Sequence, residues 1–264
     1  MKIGIFDSGL GGLIITHSLI QALPQYDYLY FGDTARVPYG NRSQQTVYEF
    51  TKQGIEYLFE QDCELIIVAC NTASADALRR LQQSYLPEHY PNRRILGVLI
   101  PAAEAAVAAT TNQRVGVLAT TSTIMSKAFE REIHKLDPDI DIMGQPAPLL
   151  VPLIENGGEQ WAPPIIKSYL EPLAGCDTII LGCTHYPYFK DIIRDQVGEG
   201  VAVISQDEIV PAKLADYLKR HSELEQRLSQ NRTRRYQVTD LTDDAVRLAD
   251  ELVGDDPELT QITL

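Results

Sequence analysis

Two cysteines stand where a thiol could do chemistry. Cys70 ends the apolar run Ile66-Ile67-Val68-Ala69 and is followed by Asn71-Thr72-Ala73-Ser74. Cys183 ends Ile179-Ile180-Leu181-Gly182 and is followed by Thr184-His185-Tyr186-Pro187. A short run rich in Ile and Val reads as a buried strand, and the small polar residues after it as the opening of a helix. Each thiol is therefore expected at the carboxyl end of a strand, where α/β sheets bind ligands. A helix N-terminus beside it would favour the thiolate. Cys63 and Cys176, at the polar starts of the same two runs, read as small buried hydrophobes. No cysteine or histidine grouping has zinc-site spacing, so no metal is expected.

Two thiols at matched positions allow three kinds of chemistry. They can form a redox pair close enough to bridge. They can act as a nucleophile and its resolving thiol. Or they can move protons on the two faces of one carbon, one thiolate removing a proton while the other thiol delivers one from the opposite side. Other residues bear on the choice. In Asp7-Ser8-Gly9-Leu10-Gly11-Gly12 the glycine spacing is neither that of a Walker loop nor that of a dinucleotide fingerprint. Asp7 would repel a phosphate, so the loop suits an amino group or proton handling; the plainer alternative is a helix cap or Asx turn. The segment Gly32–Gly40 reads either as a polar loop stiffened by Pro38 and suited to ligand contact or, equally, as an ordinary connection. His185, two residues after Cys183, suits thiolate stabilisation or carboxylate binding, with a cap or core role as the alternative.

The elements that must position these residues alternate between strand and helix, which predicts parallel sheets covered on both faces. Strands are expected at Lys2–Phe6, Tyr28–Phe31, Leu65–Ala69, Ile95–Leu99, Arg114–Ala119, Ile140–Gly144, Thr178–Leu181, Val201–Ser205 and Arg235–Thr239. The helices between them include Ala73–Tyr85, Ser122–Lys135 and Pro211–Arg220, and Asp240–Val253 is the last. The order repeats. Ile3-Gly4-Ile5-Phe6 resembles Val115-Gly116-Val117-Leu118, Gly4 and Gly32 are as far apart as Gly116 and Gly144, and the run into Cys70 resembles the run into Cys183. The expected fold is α/β, with two similar Rossmann-like lobes of mostly parallel sheet, related by a pseudo-two-fold, and the active site in the cleft between them. Residues 1–95 with 207–264 form the first lobe and 96–206 the second. In this arrangement Cys70 and Cys183 are pseudo-symmetric partners, while Asp7 has Ala119 as counterpart and His185 has Thr72.

The 264 residues suffice for two such cores. A net charge of −13 and a pI near 4.8 argue against nucleic acid or an anionic membrane as partner. The locally basic stretch with Arg227, Arg232, Arg234 and Arg235 reads as a solvated helix end and loop. The first residues run straight into a strand without a signal sequence, and no apolar run approaches a membrane span, so a cytoplasmic protein is expected.

Taken together, the motifs resemble those of the glutamate racemases, in the aspartate/glutamate racemase family. The matching stretches are Ile3–Leu13, Tyr30–Gly40, Ala69–Ser74 and Leu181–Pro187, with weaker echoes at Val115–Thr123 and Val151–Glu155. The resemblance implies cofactor-independent racemisation of glutamate, supplying D-glutamate for bacterial peptidoglycan. It implies that Cys70 takes the proton from D-glutamate and Cys183 the proton from L-glutamate, with Asp7 assisting on the Cys70 side and His185 on the Cys183 side. Substrate contacts are implied for Asp7, Ser8, Tyr39, Gly40, Asn71, Thr72, Thr184 and His185, and for Thr120, which stands where the second lobe repeats Ser8. Glu155 is implied to tune His185. The implied partner is the small-molecule substrate, with a homodimer left open. The chain departs from the family's pattern at Ile14-Ile15-Thr16-His17, at Pro101-Ala102-Ala103 and at Ser205-Gln206-Asp207, where an Asp-Ser pair is usual.

Overall fold

The computed structural model describes residues 1–254 and 257–264. Strands β1 (Lys2–Asp7), β2 (Tyr28–Gly32), β3 (Cys63–Val68) and β4 (Arg94–Gly97) are followed by β5 (Arg114–Ala119), β6 (Asp141–Pro146), β7 (Thr178–Gly182) and β8 (Ala202–Ile204), and then by β9 (Arg234–Val238) and β10 (Leu259–Gln261). They form a six-stranded sheet in the order β10-β9-β2-β1-β3-β4 and a four-stranded sheet in the order β6-β5-β7-β8. Every pairing is parallel. The series β2-β1-β3-β4 matches β6-β5-β7-β8 position for position, so the repeat seen in the sequence is a repeat of topology. Asp7 and Ala119 end the equivalent central strands, Asp7 opposite Gly32 and Ala119 opposite Gly182.

Parallel strands buried on both faces need apolar residues at almost every position, and β1, β2, β3, β5 and β7 are buried nearly throughout. Alternate side chains go to opposite faces. Ile3, Ile5, Leu65 and Ile67 join Leu118, Ile179 and Leu181 in one core shared by the two sheets. Phe6, Phe31, Ile66 and Val68 form a second core on the outer face of the first sheet, and Val115, Val117 and Ile180 a third on the outer face of the other. The shared core is what holds the two strand ends in register with one another.

The structure changes several expected boundaries. β4 ends at Gly97, so a division after residue 95 would cut a strand of the first sheet. The helix expected over Ser122–Lys135 is two helices, Thr121–Met125 and Ala128–Leu136, separated by Lys127 in the left-handed region at φ 55°. Ser126 accounts for the break: its hydroxyl donates to the Thr123 carbonyl and accepts from the Ala128 N–H, offering the backbone an alternative to the helix ladder. The segment expected as one helix over Ala73–Tyr85 is interrupted as well, into Asn71–Asp76, Leu78–Arg80 and a wide turn at Leu81–Tyr85. The helix expected to start at Pro211 starts at Gln206. Proline is best tolerated in a first turn, which made Pro211 look like a beginning when it lies inside. This helix, Gln206–Arg220, packs against both Gly12–Ala22 and Leu99–Ala109. Beyond it the chain returns to the first sheet, where β9 pairs with β2 and the unexpected three-residue β10 pairs with β9.

Candidate active site

Cys70 follows β3 and Cys183 follows β7, which occupy equivalent places in the two sheets. Both thiols are buried and neither is in a disulfide. The Cys70 thiol donates to Ser8 Oγ at 3.3 Å, and its Sγ accepts from the Ala73 N–H at 3.4 Å, capping the helix Asn71–Asp76. The expectation that this helix end would leave a low thiol pKa is overturned. Burial first, and then the negative charge of Asp7, push Cys70 up to about 12, against the pull of Ser8 and the Ala73 N–H. A helix of six residues gives too little to offset the desolvation of a thiolate. Cys183 is also among the charges that raise Cys70, so each sulfur lies within electrostatic reach of the other.

Around Cys183 the chemistry differs. His185 Nδ1 lies 3.9 Å from Cys183 Sγ, and His185 Nε2 lies 3.1 Å from Glu155 Oε1 at the end of the helix Leu150–Glu155. Burial alone would depress the imidazole; the contacts to Cys183 and Glu155 overcome it and raise His185 to about 10. His185 is thus an imidazolium at neutral pH. A three-residue chain, Glu155 to His185 to Cys183, stands on this side, and Cys70 has no equivalent.

Asp7 is coupled to both sides. It is fully buried, and its Oδ2 accepts from the Gly9 N–H at 3.0 Å while Oδ1 has no hydrogen-bond partner. Desolvation raises its pKa; the charge of His185 and the nearby dipoles of Gly9, Gly12 and Thr184 work against that rise. Asp7 therefore feels the His185 side while it disfavours charge on Cys70. The turn after it is tightly fitted. A Cβ on Gly11 would meet His185 Nδ1 at 2.4 Å and Thr184 Oγ1 at 2.6 Å, so only glycine lets the loop approach so closely. Tyr30 fixes the same loop by donating to the Gly9 carbonyl at 2.7 Å.

The remaining residues singled out in the sequence gather here too. Thr72 Oγ1 lies 3.0 Å from Thr120 Oγ1, and Thr120 caps the helix Thr121–Met125. Gly40 faces Thr120: a Cβ there would lie 3.1 Å from the Thr120 Cβ. Tyr39 is buried at this turn. Its phenol donates to Asp33 and its ring packs against Phe6 and Phe50. Thr184 is buried beside Gly11. Asn71 is committed to a residue missed as a site member. Its Nδ2 donates to Gln206 Oε1 at 2.8 Å, and Gln206 Nε2 donates to Asn71 Oδ1 at 2.6 Å. The signal was in the sequence, since Ser205-Gln206-Asp207 breaks the usual pattern. Thr123, 3.4 Å from Thr72, was missed as well. Among the described residues no cluster of His, Cys, Asp and Glu could hold a metal ion, and no helix is long and apolar enough to cross a membrane.

Two parallel sheets of repeated topology, with a free thiol at the end of each equivalent strand, define a paired-thiol α/β protein. The family model described as Asp/Glu/Hydantoin racemase matches residues 3–210, and the chain belongs to that family. It is 40% identical over 257 residues to a glutamate racemase of Geobacter metallireducens, covering 96% of this chain and 92% of that one. A glutamate racemase of Jannaschia is 40% identical over 238 residues, 85% of this chain and 87% of the relative. Among solved structures, a glutamate racemase isoform from Bacillus anthracis superposes with a TM-score of 0.90 at 32% identity, covering 100% of this chain and 97% of the other. The glutamate racemase of Francisella tularensis in complex with D-glutamate gives 0.88 at 31% identity, covering 99% and 97%.

Proposed function

We propose that this chain interconverts L- and D-glutamate without a cofactor, in the cytoplasm, by moving the Cα proton between Cys70 and Cys183, and that its D-glutamate serves peptidoglycan synthesis. The observation that carries the reading is the pair of unbridged cysteines at equivalent strand ends, in a chain similar from end to end to glutamate racemases. We divide the lobes between elements, 1–97 with 206–264 against 98–205. Both thiols come from one chain, so a homodimer is compatible with the reaction but not required by it.

The electrostatics support an order of steps. Cys70 rests as a neutral thiol, held so by burial and by Asp7. The α-ammonium of a bound amino acid supplies the missing positive charge, which favours the Cys70 thiolate, and the Cys70 proton passes to Asp7, whose buried Oδ1 has no hydrogen-bond partner. From D-glutamate, the Cys70 thiolate removes the Cα proton, and the Cys183 thiol delivers its own proton to the opposite face of the carbanion. His185, an imidazolium held by Glu155, compensates the negative charge left on Cys183. From L-glutamate the roles reverse. The asymmetry follows from the neighbours, Asp7 and Ser8 on one side, His185 and Glu155 on the other.

In D2O, L-glutamate gains deuterium at Cα as optical rotation decays. Cys70→Ser and Cys183→Ser each lower racemisation by at least about 100-fold, the low end of what a positioned acid or base contributes. Wild-type rates in either variant would exclude the two-thiol mechanism, and a side-by-side rate measurement on aspartate tests the substrate.

A further inference from the structure

We propose that Gln206 is a positioning residue for the reaction, acting through Asn71. The proposal rests on the racemase reading above. Asn71 is the residue next to Cys70 and Gln206 the first residue of the helix Gln206–Arg220, 135 residues further along the chain. Both are almost completely buried, at 2% and 1% exposure, where an amide left unpaired is costly. They satisfy one another through the reciprocal pair at 2.8 and 2.6 Å. Two parallel bonds between planar amides fix the plane and the rotation of both groups, as one bond cannot. The pair uses one donor hydrogen and one acceptor lone pair of Asn71, leaving it one N–H and one lone pair in a set direction for a ligand beside Cys70.

Two features make this more than packing. The helix carrying Gln206 packs against the helix after β1, which lies on β1 and β2, and against the helix after β4, which lies on β7 and β8, so the amide of Asn71 is oriented by an element that bridges both sheets. The next residue, Thr72, is tied to Thr120 beyond β5. The start of the helix after Cys70 is thus gripped at two consecutive side chains by groups from later in the chain, and Asn71 keeps its orientation only while both grips hold.

The experiment measures kcat and KM for both enantiomers in Gln206→Met, which keeps the length and removes both polar atoms. The expected result is a KM raised about tenfold for each enantiomer, kcat within about threefold of wild type, and a second effect that vanishes in context: adding Gln206→Met to Asn71→Ala raises KM no further. Should Gln206→Met fail to fold, Gln206→Glu keeps the size and one of the two bonds, and a smaller KM rise of about threefold is expected. An unchanged KM in whichever variant folds overturns the proposal. So do multiplicative effects in the double variant, which would mean that Gln206 acts on its own. A wild-type chain that does not racemise glutamate would instead refute the underlying reading, an outcome distinct from both.

Discussion

Replacing Glu155 by Gln removes a charge from His185 while keeping the shape of the contact. Glu155 Oε1 lies 3.1 Å from His185 Nε2, and with Cys183 it holds the imidazole at about 10 rather than near 6.5. Two unit charges about 4 Å apart at an effective dielectric of about 20 interact by about 4 kcal/mol, equivalent to about 3 pH units. The Glu155 side chain is 32% exposed, so water screens much of this, and about one pH unit is the realistic share. The midpoint of His185 in Glu155→Gln should therefore fall to about 9. The sign of the stability effect follows from linkage. A histidine whose folded pKa is raised stabilises the fold fully below about 6.5, and that contribution is lost as pH rises through about 10. The variant should lose about 1 kcal/mol, or about 2–4 °C in Tm, near pH 6, and almost nothing above pH 10. The assays are an NMR titration of labelled histidine and thermal melts across that range, with the alkaline limb of kcat/KM for L-glutamate expected to move down by the same pH unit. An unmoved His185 midpoint, or an equal Tm loss at low and high pH, would refute the assignment of His185 as a carboxylate-held imidazolium.

Two further outcomes follow from the loop after β1. Gly11→Ala places a methyl group 2.4 Å from the observed position of His185 Nδ1, so it should displace His185 and lower kcat at least about tenfold, with a Tm change of only a few degrees; steady-state kinetics with a melt check both. Tyr30→Phe strands the Gly9 carbonyl it now serves at 2.7 Å, which should cost about 1–2 kcal/mol and lower Tm by about 2–8 °C, as measured by calorimetry.

The strands were legible because parallel, doubly covered strands need unbroken apolar runs, and Ile66–Val68 and Ile179–Leu181 supply them. The thiols were legible for the same reason, since they end those runs. β10 was not, because Leu259–Gln261 is too short to show a pattern. The break at Lys127 was missed because it depends on where the Ser126 hydroxyl points, which spacing does not reveal. The state of Cys70 was misjudged for a different cause. Proximity to a helix end is visible in sequence, but the burial that outweighs it is a property of the assembled cleft. The Asn71–Gln206 pair is of this kind too: two amides 135 residues apart show no sign of partnership until the fold brings them together.

The order of strands in the first sheet also has a consequence for synthesis. β5 to β8 are contiguous in the chain, so the four-stranded sheet has all its strands once residue 204 has emerged from the ribosome. The six-stranded sheet must wait: β2 keeps an unpaired edge until β9, from Arg234 onward, arrives to cover it. During that interval an apolar strand that began near residue 28 is exposed to pairing with other chains. The lobe begun first is thus the lobe finished last, and its unguarded edge makes β2 the site at which a chain truncated before β9 would self-associate.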